Sequence, residues 1–282
     1  MKKYVLACQK QEKILKFLQN NLKGYSYSNF LRALRQKDIV VNGERISSNI
    51  TISINDSVEI YLPERKNVLD IFYEDDNIII FNKPKKVEVV DGDFNLSQQY
   101  ESQFGKKIYA VHRLDANTTG LVIFAKSEEI LSRLIEQFKK HNVDKYYLAV
   151  VFGKPKDCEV FEDYLVKYDK FVKIFDKKVK NSQKIITKYK KIKDQGELSL
   201  LEVEIQNGKM HQIRAHLAFH NLPILGDEKY GDSKLNKIYK QSSQCLQSYK
   251  IEFNVDDKKL SYLNNISFEL KKQLDIQNIS KI

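Results

Sequence analysis

The sequence has 282 residues, 42% hydrophobic and 30% charged, with a formal net charge of +11, the profile of a globular protein with one large or two smaller domains. Cys8, Cys158 and Cys245 are odd in number, widely spaced and without a C-x-x-C pair, which excludes a disulfide framework or a cysteine-based zinc site and suits a reducing compartment. No apolar run approaches the ~18 residues of a transmembrane helix, so a cytoplasmic chain with no membrane partner is expected, and the pI of about 9.2 favours a polyanionic partner.

Met1–Cys8 has the outline of a lipoprotein signal, but its apolar core is too short for an h-region of roughly 7–15 residues. From Glu12 the spacing turns helical, with Ile14, Leu15, Leu18 and Leu22 on one stripe and Gly24 as a stop. A second helix is expected from Ser28 as N-cap, with Phe30, Leu31 and Leu34 inward and Arg32 and Arg35 sharing a face. A strand at 39–41 runs into the Asn42-Gly43 turn, and the alternations Ile50/Ile52/Ile54 and Val58/Ile60/Leu62 around Asn55-Asp56 predict a hairpin. Residues 1–63 hold ten Lys/Arg against five Asp/Glu, a net +5. Arg32, Arg35 and Lys37 are therefore candidates for neutralising phosphates, though a Lys-rich chain from an AT-rich genome would carry similar charge. Residues 64–68 are polar and fit a linker.

A second hairpin is expected around Glu74-Asp75-Asp76, running into Asn82-Lys83-Pro84. The stretch VHRLDANTTGLVIF, Val111 to Phe124, then places charge and hydroxyls between apolar strands, with Asp115 at a strand end and Gly120 closing the turn. Such groups cost desolvation unless they are paired or used. Taken alone, Asp115 fits an Asx-turn cap as well as a catalytic role. Ser127 caps a helix with Ile130, Leu134 and Phe138 inward, and a strand follows at 145–151. Residues 154–193 carry thirteen lysines against six acids, interspersed with aromatics, which suits RNA or exposed antiparallel strands equally. His216 and His220 stand four apart but lack the flanking Glu of H-E-x-x-H and any cysteine partner, so no metal is expected.

The string H-R-L-D-x-x-T-[ST]-G-L at 112–121 resembles the active-site motif of the RluA-type pseudouridine synthases, which isomerise uridine in RNA. Lys145-Tyr146-Tyr147-Leu148-Ala149 is similar to the family's K-x-Y-x-A. Gly208-Lys209-Met210-His211-Gln212-Ile213-Arg214 is similar to its G-[RK]-x-H-Q-[IV]-R, and Gly226-Asp227-x-x-Tyr230-Gly231 to a further, structural element. The Asn-Lys-Pro element departs from the pattern, with Lys85-Lys86 where a glycine commonly follows. The order helix, helix, V-N-G, N-D-x-[VI] in residues 1–63 resembles the S-four-type RNA-binding domain.

The resemblance implies an α+β fold: a small helical and β-hairpin RNA-binding domain (1–63), a linker (64–68), a catalytic domain with a bent, mainly antiparallel mixed sheet (69–275) and a tail (276–282). It implies Asp115 as catalytic carboxylate, Arg214 as its cationic partner and Tyr147 stacked on the target uracil. It further implies RNA contacts at His112, Arg113, Thr118, Thr119, Lys145, His211 and Gln212, with Arg113 filling the space of a flipped nucleotide. Isomerisation needs no redox change or group donor, so no cofactor is expected. RNA is the implied partner, large-subunit rRNA ahead of tRNA, and no obligate protein partner is evident. A non-catalytic RNA-binding protein on the same fold is the alternative. A glycoside hydrolase would need a second acid beside Asp115, where the surrounding sequence supplies hydroxyls and arginines.

Overall fold

The computed structural model describes residues 1–22, 25, 27–62, 69–92, 94–205 and 208–279, so Gly24, the linker 64–68 and tail residues 280–282 lie outside the described residues. Two compact units form, one from Met1–Leu69 with Glu88–Lys107 and the other from Asp70–Val87 with Ile108–Ile282.

The first unit contains β1 (Lys2–Ala7), β2 (Glu12–Lys13), α1 (Ile14–Asn21), α2 (Tyr27–Arg35), β3 (Ile39–Val41), β4 (Glu44–Ile46), β5 (Thr51–Ile52), β6 (Ser57–Leu62) and α3 (Leu96–Phe104). Lys2–Ala7, whose apolar run is too short for a signal, is an edge strand paired antiparallel with β6 in the order β1-β6-β3-β4. Its Tyr4 and Leu6 alternate inward at the period of two that a sheet requires. The expected hairpin of 50–62 does not form: β5 pairs with β2, and β6 takes the centre of the sheet. Burial explains this, because Ile52, Val58 and Ile60 are fully buried whereas Ile54 is exposed and ends the alternation. The Asn55-Asp56 turn is kept, the Asp56 carboxylate accepting from Ser53 N and Asn42 Nδ2. α2 starts at Tyr27, so Ser28 stands inside its first turn. Asn95 caps α3 reciprocally with Gln98, and Gly105 ends it in the left-handed conformation.

The second unit contains β7 (Ile71–Glu74), β8 (Ile78–Lys83), β9 (Tyr109–Ala110), β10 (Thr119–Ala125), α4 (Glu128–Lys139), β11 (Val143–Phe152), β12 (Cys158–Lys167), β13 (Val172–Phe175), β14 (Gln183–Gln195), β15 (Leu198–Ile205), α5 (Gln212–Phe219), α6 (Ser233–Ile238), β16 (Leu246–Phe253) and β17 (Ile266–Glu269). The strands form one mixed sheet in the order β13-β12-β14-β15-β11-β16-β10-β8-β7, with β17 on β16 and β9 on β10. The fold is α+β and the sheet mainly antiparallel; among the described residues only β10 and β16 pair in parallel, through Thr119–Gln247 and Gly120–Ser248. That junction needs a glycine: Gly120 has φ +107°, and a Cβ there would lie 2.0 Å from the Ser248 carbonyl oxygen. The C-terminal residues supply β16 at the sheet's centre and β17 beside it. Ile276 and Ile279, expected in a tail, are buried against Leu148 and Leu200.

Candidate active site

Asp115 lies in a loop rather than at a strand end. The strand before it stops at Ala110 because the His112 Nε2 accepts the Ile123 N–H at 3.1 Å, taking the place of a ladder carbonyl. Thr118 N–H then closes a turn on the Asp115 carbonyl at 3.0 Å. The loop is held from behind by Lys83, fully buried at the end of β8, whose Nζ donates to the carbonyls of Pro84, Val87 and Ala116 at 3.0, 2.7 and 2.8 Å. A buried ammonium is tolerable only with such partners. Lys86 has φ +64°, so it adopts the conformation a glycine would supply in this Lys-Pro turn.

Across a cleft lined by Arg113, Asp115, Tyr147, His211 and Arg214, helix α5 brings its arginine to the carboxylate. Arg214 Nη1 donates to Asp115 Oδ2 at 2.7 Å, while Nε and Nη2 make a two-pronged contact with Asp227 at 2.6 and 2.9 Å. Asp227 also accepts from the backbone N–H of Lys229 and Tyr230. Burial works against charge on both partners and is outweighed: Asp227 and Asp115 lift the Arg214 pKa above its ordinary value, and Arg214 holds Asp227 below the usual carboxylate range. The side chain of Asp115 stays a quarter exposed, against none for Asp227. Of the two acids, Asp115 is the one open to a ligand. Asp227 has its oxygens engaged, so it does not supply the free second acid of a glycoside hydrolase.

Tyr147 is buried on β11, and burial followed by the Asp115 charge raises its phenol pKa, keeping it protonated. His211 enters α5 in the left-handed conformation, φ 52°, with Nδ1 2.9 Å from Tyr230 Oη and Nε2 3.9 Å from Asp115 Oδ2. Burial, with Arg214 and Lys229 adding, lowers its pKa, which favours a neutral imidazole at pH 7.

A model of RNA pseudouridylate synthase matches residues 77–219, half of the chain. A ribosomal large subunit pseudouridine synthase C of Rickettsia bellii is 33% identical over 83% of this chain and 90% of its own length. The chain belongs to the RNA pseudouridylate synthase family. An uncharacterized RNA pseudouridine synthase of Mycoplasma capricolum is 33% identical over 94% of this chain and 96% of its own. The human RNA pseudouridylate synthase domain containing 4 superposes with a TM-score of 0.59 at 23% identity, covering 74% of this chain and 89% of its own, and shares the fold. The protein is thus an RNA pseudouridine synthase, an isomerase of the RluA type.

Among the residues expected to act in this synthase, Asp115, Arg214, Tyr147, Arg113, His211, Thr118 and Gln212 line the cleft. Three of the residues expected at the RNA are nearly closed to solvent. Lys145 is 5% exposed, its Nζ 4.5 Å from the Phe138 ring centroid, and burial pushes its pKa down to about 8. Thr118 is 2% exposed and accepts from Gln244 Nε2. Gln212 is 2% exposed and donates to the Ile186 carbonyl and Thr187 Oγ1. Burial of this kind is invisible in a motif. His112 is half-buried and serves the backbone, and Thr119 is half-buried in β10. Arg32, Arg35 and Lys37 are exposed in the first unit. Asn207 lies outside the described residues. Sequence reasoning missed Lys83 and took the Asp227 element as merely structural; an acid one glycine beyond the apolar run Leu222–Leu225 was the available signal, since such an acid needs a partner. Among the described residues no helix is long and apolar enough to cross a membrane.

Proposed function

We propose that this enzyme converts specific uridines of large-subunit rRNA to pseudouridine, with Asp115 as the catalytic carboxylate. The observation that carries this reading is the 2.7 Å pair of Arg214 with a partly open Asp115, in which the arginine is itself anchored by a closed Asp227. The reaction breaks the N1–C1′ bond, joins C5 to C1′ and moves the C5 proton to N1, so the atoms balance without a donor. A carboxylate kept charged beside a fixed guanidinium suits that step. Tyr147 walls the cleft and stacks on the uracil, while Arg113 at the mouth takes the space of the flipped nucleotide. Residues 1–63 act as an S-four-type RNA-binding domain, with Arg32, Arg35 and Lys37 neutralising phosphates.

The rRNA assignment rests on the name of the Rickettsia relative. It is tested by mapping pseudouridine in total rRNA and tRNA from cells lacking the gene, with and without complementation. Loss confined to large-subunit rRNA is the expected result; loss confined to tRNA would replace the substrate and leave the chemistry.

A further inference from the structure

We propose that Asp163, His216 and His220 form a binding site for a divalent transition-metal ion of the zinc class. His216 lies on α5 and His220, four positions on, caps its C-terminus, and both imidazoles turn to the same carboxylate. Their missing third ligand, absent from the local sequence, comes from β12, 53 positions upstream of His216. Asp163 Oδ2 lies 2.9 Å from His216 Nε2 and 2.6 Å from His220 Nε2, and the three ligand atoms all lie within 4.8 Å of one another.

The surroundings hold both rings in place. His216 Nδ1 is 2.8 Å from Thr187 Oγ1 on β14, and the His220 ring stacks on Phe161 at 3.7 Å and 3°. Such outer partners are what orient metal-bound imidazoles. His216 is fully buried and Asp163 nearly so, whereas the His220 side chain is 30% exposed, which gives an ion an entry path and leaves a solvent-facing position for a water ligand. Two imidazoles and one carboxylate match zinc rather than calcium or magnesium, which take oxygen ligands.

In the present geometry each imidazole shares its Nε2 proton with the carboxylate. An ion replaces both protons: each ring moves its proton to Nδ1, and that of His216 then donates to Thr187 Oγ1. The ligand atoms spread to roughly 3.4 Å, as bonds of ~2.1 Å at tetrahedral angles require. The bound ion ties α5, and with it Gln212 and Arg214, to β12 and β14. The site stands independently of the role assigned to Asp115.

The test uses the full-length enzyme, stripped with a chelator and titrated with Zn²⁺ by calorimetry and with Co²⁺ by visible absorption. One equivalent of zinc, the intense bands of four-coordinate cobalt and a raised melting temperature are expected. His220→Gln keeps a donor to Asp163 but removes a ligand, and should weaken binding beyond the ~10–100-fold that removing a supporting hydrogen bond costs, with Thr187→Val falling inside that range. His141→Gln, an exposed imidazole outside the cluster, should bind as wild type. Unchanged binding in His220→Gln, a stoichiometry well below one, or equal loss in His141→Gln would overturn the proposal.

Discussion

Arg214 stands between two carboxylates that differ in one respect: Asp227, bound through Nε and Nη2, is closed to solvent, and Asp115, bound through Nη1, is partly open. The closed acid fixes the guanidinium; the open one faces the cleft, as the role proposed for it requires. Replacing Asp227 by Asn removes the anchoring charge but keeps an oxygen for the Lys229 and Tyr230 amides. Breaking a buried pair in this way costs about 3–5 kcal/mol. Displacing the guanidinium by an ångström should lower turnover on the order of 100-fold. Urea unfolding and single-turnover assays on Asp227→Asn check both, and a variant that lost stability while keeping turnover would separate Asp227 from the site.

Lys83 should matter for the same reason at one remove. Lys83→Met leaves the carbonyls of Pro84, Val87 and Ala116 without this donor, at about 1–3 kcal/mol for each left unsatisfied. Because Ala116 follows Asp115, turnover should fall with KM little changed. Steady-state kinetics on the folded variant tests this.

Gly120 has the closest backbone approach among the described glycines. Gly120→Ala would drive a methyl group into the Ser248 carbonyl at a positive φ, and about 3 kcal/mol or more of stability should be lost. Thermal unfolding is sufficient to read it.

The His112 pKa is depressed to about 3, by burial and then by the Lys145 charge. As pH falls below the ordinary ~6.5 of histidine, the unfolded chain takes up a proton that the folded one refuses. This contribution to stability is therefore complete above that value and is lost on acidification, down to the folded pKa, by up to about 1.4 kcal/mol per pH unit. His112→Gln retains an acceptor for the Ile123 N–H but cannot titrate. Between pH 6.5 and 5, wild type should lose about 2 kcal/mol more than this variant. Parallel urea curves would show that His112 plays no such part.

Charge on α2 should show in the salt dependence of RNA binding. Arg32→Ala combined with Arg35→Ala should flatten the plot of log affinity against log salt by about 1–2, one for each phosphate no longer neutralised. Lys145→Met should leave that slope unchanged, because Lys145 lies under Phe138 and not at the surface. A drop in slope for Lys145→Met alone would reverse this assignment.

The site was legible where a motif sets charge into an apolar run. Asp115 stood out for that reason, whereas Arg214, Tyr147 and the mainly antiparallel sheet were expected from the resemblance of the motifs to the family, with the strand-rich pattern in agreement. What stayed hidden depends on partners remote in sequence. Asp163 meets His216 across 53 positions, and Lys83 meets Ala116 across 33. Gln212 and Lys145 belong to good motifs, yet one turns toward β14 and the other lies beneath α4; residue type does not report orientation. β16 alternates at Tyr249, Ile251 and Phe253, but that period does not report its partners, β11 antiparallel on one side and β10 in parallel on the other.

The most direct measurement is pseudouridine formation by the purified enzyme on unmodified large-subunit rRNA, comparing wild type with Asp115→Asn and recording RNA affinity for both. Wild type should form pseudouridine at specific positions, and Asp115→Asn none above background while binding the RNA comparably. Isomerisation by Asp115→Asn at the wild-type rate would contradict the role assigned to Asp115.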